Sequence, residues 1–157
     1  MRWTASMEKI ADWHTRRAMN VPATDPTPPY IYIHMRHGDF SQQCEDFPVD
    51  QCFAPLFVIA RRVSEAQEEL RTREGIDATH VIMTSDERDP EWLSERIEEI
   101  YGKWHPVFID TIIQSNGAGF VGTRGSTMST LAGRRVQSWH DGATRLVRWG
   151  WPGSDDH

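Results

Sequence analysis

The chain lacks the features that mark several large protein classes. No apolar run of its 157 residues approaches the ~20 residues that cross a bilayer, and residues 56–60 are among its longest. Its 17 basic and 23 acidic residues give a formal net charge of −6, which argues against a nucleic-acid partner because phosphate backbones need a basic stripe. The N-terminus carries Trp3, Glu8 and Asp12 without the hydrophobic core of a secretory leader. The sequence therefore predicts one domain with no membrane span, either cytosolic or cut from a longer chain.

Cysteine is scarce, and several catalytic motifs are missing. Cys44 and Cys52 are the two cysteines, and their spacing fits either a local disulfide or two partly buried thiols. Neither belongs to a metal-ligand pattern and the seven histidines are scattered, so we expect no metal site. No serine lies in a Gly-x-Ser-x-Gly elbow, and no P-loop is present. The glycines of residues 117–122 precede a predicted strand, not a helix, so they do not form a dinucleotide fingerprint.

The hydrophobic pattern alternates between helix and strand periods. Helices are predicted in residues 1–20, 53–70 and 89–101 and from residue 126, with strands in residues 30–35, 81–84, 107–109 and 118–122. This alternation predicts an α/β fold, a three-layer Rossmann-like domain with a mainly parallel sheet. We divide the chain into an N-terminal helix and proline-rich connector (residues 1–29), a core (30–138) and a tryptophan-rich tail (139–157).

Three segments carry predictions about packing. The core-facing side of the 53–70 helix is predicted to hold several apolar residues, and the last helix is predicted to bury three more. The tail carries three tryptophans, which we expect to cover a domain interface or the open side of the sheet. The positions concerned are Phe53, Leu56, Phe57, Ala60, Val63 and Leu70, then Leu131, Ala132 and Val136, and finally Trp139, Trp149 and Trp151.

The segment of residues 30–40 changes abruptly from a β-rich run to polar residues. His34, Arg36, His37 and Asp39 crowd the predicted carboxyl end of the strand, the edge at which α/β sheets bind ligands. An arginine there offers a rigid fork of donors suited to phosphate. The alternative is a surface turn with solvated charges. For His34 we also weigh a role as base against that of a hydrogen-bonded structural histidine.

Two further polar segments follow later strands. Asp86 and Glu87 follow the predicted strand of residues 81–84. Asp86 is either a site residue or part of a helix-capping loop, and for Glu87 we favour the capping role. Residues 122–129, Gly-Thr-Arg-Gly-Ser-Thr-Met-Ser, turn from a strand into a helix, where backbone N–H groups can point at an anion. The helix dipole adds about half a positive charge there. The three segments together favour binding of a nucleotide or nucleotide sugar.

Residues 34–40, His-Met-Arg-His-Gly-Asp-Phe, resemble the His-x-Arg-Arg-Gly-Asp-Phe motif of the GDP-fucose protein O-fucosyltransferase family. Residues 108–129 resemble the second signature of that family, in which an aspartate-led segment, Gly-Thr and Ser-Thr-Phe-Ser follow in this order. Residues 84–87 lie where the family has a Thr-Asp-type loop. The resemblance covers roughly residues 30–136.

The resemblance implies the donor-binding C-terminal half of a two-domain GT-B glycosyltransferase. It implies that Arg36 contacts the donor phosphates and assists the departing GDP, and that Asp110 holds the guanine. It further implies inverting fucosyl transfer from GDP-fucose without metal or cofactor to a protein or glycan acceptor, a missing N-terminal domain, and an ER or Golgi lumen setting. The remaining implied substrate-binding residues are His34, Asp39, Asp86, Ser126, Thr127 and Met128.

The sequence departs from the family pattern at two positions. His37 replaces the second arginine, which weakens the positive field, and Met128 replaces an aromatic residue. The acceptor half, which supplies the proposed glutamate base in relatives, is not covered. Three hypotheses follow: a fucosyltransferase donor domain, a degenerate GDP-sugar-binding module without turnover, and an unrelated α/β domain.

Overall fold

A computed structural model describes residues 2–44, 47–86 and 105–155. The described chain forms a four-stranded, all-parallel sheet in the order β2-β1-β3-β4, with helices on both faces. The strands are β1 (Tyr30–Met35), β2 (His80–Ser85), β3 (Gly119–Thr123) and β4 (Ala143–Val147). The helices are α1 (Ala5–Ala18), α2 (Val49–Cys52), α3 (Leu56–Glu74), α4 (His105–Asn116) and α5 (Thr127–His140), with a 3₁₀ turn at Asp39–Gln43. The predicted α/β class with a parallel sheet is confirmed.

Strand β1 lies in the middle of the sheet and is fully buried. Its register pairs Ile33 with Met83 on β2 and with Val121 on β3. The first four residues of β1 are β-branched or aromatic, and successive side chains point to opposite faces, so the strand supplies side chains to both helical layers. Proline residues 28 and 29 precede β1 and limit how far it extends toward the N-terminus.

The two faces of the sheet carry different cores. On one face α3 packs its apolar side, including Val63 and Leu70, against Ile31 and Val121. On the other face α4 and α5 cover a cluster of Tyr30, Tyr32, Phe120, Ala132 and Val136. Helix α1 lies outside α4, where Ala11 packs with Ile109 and Ile112. None of the helices within the described ranges is long and apolar enough to cross a membrane.

The predicted strand at residues 107–109 is wrong, since these residues belong to α4. Ile109 and Ile112 are buried at 3% and 0% exposure, whereas Val107 and Phe108 are about half exposed. The buried positions therefore follow a helical spacing, and Pro106 lies in the first turn, where proline is tolerated. The helix predicted at residues 89–101 lies outside the described residues.

The predicted core faces of two helices need correction. Leu56 and Phe57 are 74% and 64% exposed, and Ala60 is exposed as well, because α3 begins only after Pro55 and turns a different side to the sheet. Phe53 precedes α3. On α5, Leu131 is 44% exposed. The predictions for Val63, Leu70, Ala132 and Val136 are confirmed, since all four are buried.

The tail contributes a strand that the sequence did not predict. Strand β4 pairs with β3, and its pattern is irregular because Leu146 is exposed and Arg145 forms ion pairs with α3. Trp139 and Trp149 are half-buried and Trp151 is 51% exposed. That the tail tryptophans cover a domain interface or the open side of the sheet stays a prediction.

Candidate functional site

The candidate site lies at the carboxyl ends of β1, β2 and β3, called here the carboxyl edge. The chain leaves β1 toward α3 on one face of the sheet and leaves β3 toward α5 on the other. Since β1 and β3 are neighbours, the loops that follow them lead to opposite faces of the sheet, and we call the space between these loops the crevice. Such switch points in strand order are where open α/β sheets bind ligands. The predicted polar segments therefore meet at a suitable place.

Thr123, the last residue of β3, joins the two loops of this crevice. Its buried hydroxyl accepts a hydrogen bond from the Arg36 backbone N–H at 2.8 Å and donates to the His34 carbonyl at 3.4 Å. This contact fixes where Arg36 leaves the sheet relative to the segment that leads into α5. The predicted polar segments of residues 30–40 and 122–129 are thus brought together.

Asp86 anchors the turn that follows β1. One carboxylate oxygen accepts hydrogen bonds from the backbone N–H groups of His37 at 2.7 Å and Gly38 at 3.0 Å. Burial raises the pKa of Asp86, but these hydrogen bonds and the Arg36 charge outweigh it, so the pKa is below its ordinary value. The ionised carboxylate therefore holds the turn. The alternative role of Asp86 and Glu87 in capping a helix concerns residues beyond the described ranges.

Arg36 is oriented by two carboxylates. Its Nε and Nη2 donate to the two oxygens of Asp39 at 2.8 and 3.1 Å, and Nε lies 3.2 Å from an Asp86 oxygen. The Arg36 hydrogen bond lowers the pKa of the exposed Asp39 carboxyl. Within the described part of the chain Nη1 has no acceptor. The guanidinium is therefore held by the carboxylates through Nε and Nη2, and its Nη1 side, called here the outer side, keeps N–H donors for a ligand.

The N-terminus of α5 forms the opposite wall of the crevice. Gly125 has a φ of +87°, which lets the chain turn, and the buried Ser126 side chain caps the helix by accepting from the Ser129 N–H at 3.3 Å. Thr127 is exposed and Met128 half-buried; the N–H groups of both have no acceptor among the described residues. The unpaired N–H groups and the helix dipole make this turn suited to an anion.

His34 is a buried group between the sheet and α5. It is 5% exposed, and its Nδ1 lies 2.9 Å from Ser129 Oγ. Burial, followed by the nearby Arg36 charge, lowers the pKa of His34. Its imidazole is therefore neutral at pH 7, so it adds a hydrogen-bonding group to the edge without adding positive charge. This contact matches a satisfied structural histidine more closely than a base.

Asp110 belongs to a different network from the Arg36 cluster. Lying on α4, its carboxylate accepts hydrogen bonds from the Tyr32 hydroxyl and from Gln114 Nε2, the latter at 2.8 Å. The Tyr32 hydroxyl also lies 2.8 Å from Thr84 Oγ1. Burial raises the pKa of Asp110, opposed by these two hydrogen bonds. The fully buried Gln114 keeps its Oε1 without a partner in the described chain.

An aromatic cluster beside the crevice was not anticipated as part of the site. The Trp149 ring stacks on Phe40 and Phe53, with centroids 4.7 and 5.7 Å away, and His37 lies 4.3 Å from Phe53. Cys44 and Cys52 form a disulfide, which settles the alternative that the sequence left open. The only sequence signal was the abundance of tryptophan in the tail, which does not reveal the partners.

Two surface concavities lie outside the carboxyl edge, one of about 320 Å³ beside the end of α1 and a smaller one beside Phe57 and Trp151. The described ranges hold no cluster of three or more histidine, cysteine, aspartate or glutamate side chains able to bind a metal ion. The donors at the edge are thus the guanidinium of Arg36 and the amides of α5.

The solved structures that match this chain include two complexes of POFUT1. A crystal structure of POFUT1 in complex with GDP matches 95% of this chain at 18% identity and a TM-score of 0.47. A structure of POFUT1 in complex with GDP-fucose matches 95% of the chain at 16% identity and a TM-score of 0.48. The chain spans about half the length of these proteins, 47% and 48% respectively. No protein-family model and no curated protein sequence matches the chain.

Proposed function

We propose that this chain binds the guanine nucleotide sugar GDP-fucose at the carboxyl edge. The observation that carries the proposal is the juxtaposition of Arg36 with the first turn of α5, joined through Thr123 by a 2.8 Å hydrogen bond. A diphosphate needs donors from more than one direction, and the outer side of the guanidinium and the amides of Thr127 and Met128 supply them. The motif resemblance of residues 34–40 and 108–129 supports the same assignment.

In this proposal Arg36 is the catalytic residue of a metal-independent inverting fucosyltransferase. Charge develops on the departing diphosphate as the bond to fucose breaks, and fixed donors aimed at that charge lower the barrier. Asp39 holds the fork in place before the ligand arrives, so little side-chain entropy is lost on binding. Ser126, Thr127 and Met128 surround the β-phosphate, while His34 and Asp86 shape the edge.

Guanine recognition is proposed for Asp110. A carboxylate has about four lone-pair positions, and Tyr32 and Gln114 account for two of them. The remaining positions suit the N1–H and amino donors of guanine. The acceptor, a protein or glycan, and the base that activates it belong in this proposal to an N-terminal domain like that implied by the family resemblance.

A GDP-sugar-binding module without turnover is the second candidate. Arg36 contacts two carboxylates, which offset its charge, and His37 stands where the family has a second arginine. The His37 ring packs on Phe53 instead. Both features reduce the positive potential that a departing diphosphate requires, while leaving hydrogen-bond donors for a bound one.

Calorimetric titration with GDP, GDP-fucose, UDP and ADP tests the proposal. We expect GDP and GDP-fucose to bind more tightly than UDP and ADP, with affinities unchanged by a chelator. Equal affinity for all three nucleoside diphosphates, or binding that disappears with chelator, contradicts the assignment. Formation of free GDP when the protein is incubated with GDP-fucose favours the fucosyltransferase. Stable binding of GDP-fucose without formation of GDP favours the binding module without turnover.

A further inference from the structure

The segment after β4 contacts both walls of the crevice. The Trp149 indole N–H donates to the Arg124 carbonyl at 2.8 Å, and the Arg124 N–H donates to the Val147 carbonyl at 2.9 Å. One residue on, the Gly150 N–H donates to the Cys52 carbonyl at 2.8 Å. Residues 147–150 therefore fasten the loop between β3 and α5 to the disulfide-bonded loop that follows β1.

The rings around Trp149 extend this connection to the Arg36 side. Phe40 directly follows Asp39, the partner of the Arg36 guanidinium, and its ring stacks on Trp149 at 4.7 Å. Phe53 directly follows Cys52, which the disulfide joins to Cys44. We call Phe40, Phe53 and Trp149 the aromatic clasp. The clasp thus lies between the group that orients Arg36 and the loop that starts α5.

We propose that Trp149 is a positioning residue for the anion-binding turn of α5, acting through the Arg124 carbonyl and the Phe40 ring. The inference rests on the proposed function, since the turn that Trp149 fixes is the one assigned to the diphosphate. The loop contains Gly125 at a φ of +87°, a residue with a wide conformational range that needs external contacts to hold one shape. The bond to Arg124 supplies such a contact beside the first N–H donors of the helix.

Trp149 differs from the other residues of the proposed site because its polar atom and its ring both have partners within the chain. Its N–H is already used by Arg124, and its ring faces Phe40 and Phe53. Its effect on an anion is therefore indirect and specific to the phosphates, with no direct contribution to the nucleoside. This distinguishes positioning from a general contribution to the stability of the fold.

Two substitutions separate the indole N–H from the ring. Trp149→Phe keeps an aromatic ring for stacking and removes the donor, whereas Trp149→Leu removes both. Trp151→Phe is the matched control, because Trp151 is two residues away and 51% exposed. Amide hydrogen exchange of the full chain is measured first, without ligand. We expect exchange at the hydrogen-bonded amides of the turn, those of Ser126, Ser129 and Thr130, to rise about three- to tenfold in Trp149→Phe, the loss typical of one hydrogen bond, and more in Trp149→Leu.

Binding is then measured with GDP and with guanosine. We expect both Trp149 variants to bind GDP more weakly, about threefold or more for Trp149→Phe, with guanosine affinity unchanged and Trp151→Phe equal to wild type. Unchanged exchange at the amides of Ser126, Ser129 and Thr130, or an increase spread evenly over the whole chain, overturns the inference. Equal losses for GDP and guanosine overturn it as well. A wild-type chain that does not bind GDP overturns the proposed function, while the exchange data still decide whether Trp149 fixes the turn.

Discussion

The Asp86 carboxylate occupies the space that a Cβ on Gly38 would fill. A Cβ built there would lie 2.6 Å from Asp86 Oδ2, a separation too short for two non-bonded atoms. The glycine of the 34–40 motif is therefore required by the approach of Asp86, whose other oxygen binds the N–H groups of His37 and Gly38. This contact links the turn after β1 to the end of β2.

Gly38→Ala should displace Asp86 and lower the free energy of unfolding by about 1–3 kcal/mol, the range for overpacking combined with lost hydrogen bonds. The measurement is denaturant unfolding. Gly133→Ala is the control of opposite sign, because a Cβ there meets Phe120 at an ordinary 3.6 Å and alanine is favoured within α5. Equal stability of the two variants would show that Asp86 moves aside at no cost.

Arg36→Ala should weaken GDP binding by the ~1.5–3 kcal/mol typical of a hydrogen bond to a charged group. Arg36→Lys should recover only part of the affinity, because an ammonium cannot form a bidentate fork. Unfolding should change by less than about 1 kcal/mol, since the ion pair with Asp39 is exposed and Asp86 keeps its two backbone donors. Calorimetry and thermal melting on the same samples measure both quantities.

Arg71→Ala serves as the control for this experiment, because Arg71 is an exposed, ion-paired arginine on α3 away from the crevice. It should leave GDP binding unchanged. Normal GDP binding by Arg36→Ala, accompanied by a lower melting temperature, would assign Arg36 to the internal ion pair alone.

Asp110→Asn should stabilise the chain at pH 7. The folded-state pKa of Asp110 is raised above 3.8, so its favourable contribution is complete below pH 3.8 and is lost as pH rises through the raised value. Asparagine imitates the protonated side chain: its Oδ1 accepts from Tyr32, and its amide donates to Gln114 Oε1 once the Gln114 amide turns over, which replaces the present Gln114 Nε2 donation. We expect a gain of about 1 kcal/mol at pH 7, because the cost of burying the ionised carboxylate is removed, and this gain shrinks toward zero below pH 3.8.

The Asp110→Asn variant also tests guanine recognition, because an amide cannot accept from both guanine donors as a carboxylate does. Weaker GDP binding together with unchanged phosphate binding is expected from the proposed role. Wild-type GDP affinity in a stabilised variant would confine Asp110 to the Tyr32 network. Asp39→Asn is the contrasting variant, since the pKa of Asp39 is lowered and its substitution should not stabilise the chain at pH 7.

Removing the Cys44–Cys52 disulfide should lower the free energy of unfolding by roughly 2–3 kcal/mol, the chain-entropy value for a loop this short. The double variant Cys44→Ala/Cys52→Ala is compared with wild type in denaturant. A reducing agent should lower the stability of wild type toward that of the double variant and leave the double variant unchanged. Identical unfolding of wild type with and without reductant would mean that the bridge does not form in solution.

The strands and their loops were predictable where local chemistry determines the structure. Strand β1 combines a continuous β-rich run with prolines before it and a glycine after it, and β2 and β3 carry similar signals. The positions of Arg36 and Ser126 at the carboxyl edge then follow from the parallel order of the strands. Residues 107–109 misled because three apolar residues in a row fit a strand as well as part of a buried helix.

The partners of the site residues were not predictable, because they come from distant parts of the chain. Nothing near Asp86 indicates that it holds the Gly38 turn, since the contact spans 48 positions. The donation from Trp149 to Arg124 likewise depends on β4, a strand whose sequence has few strand features. Asp110 was selected through the family resemblance, and its bonds to Tyr32 and Gln114 follow from helix packing alone.

The central position of β1 also bears on how fast the chain comes apart. The bond from Arg36 to Thr123 joins residues 87 positions apart, and that from Tyr32 to Thr84 joins residues 52 apart. Contacts of such separation form slowly during folding, because the chain loses the entropy of closing a long loop before the contact stabilises it. A diphosphate held between Arg36 and α5 would connect the same distant segments, and its release would have to precede their separation. Bound nucleotide is therefore expected to lengthen the lifetime of the folded chain by slowing the unfolding step.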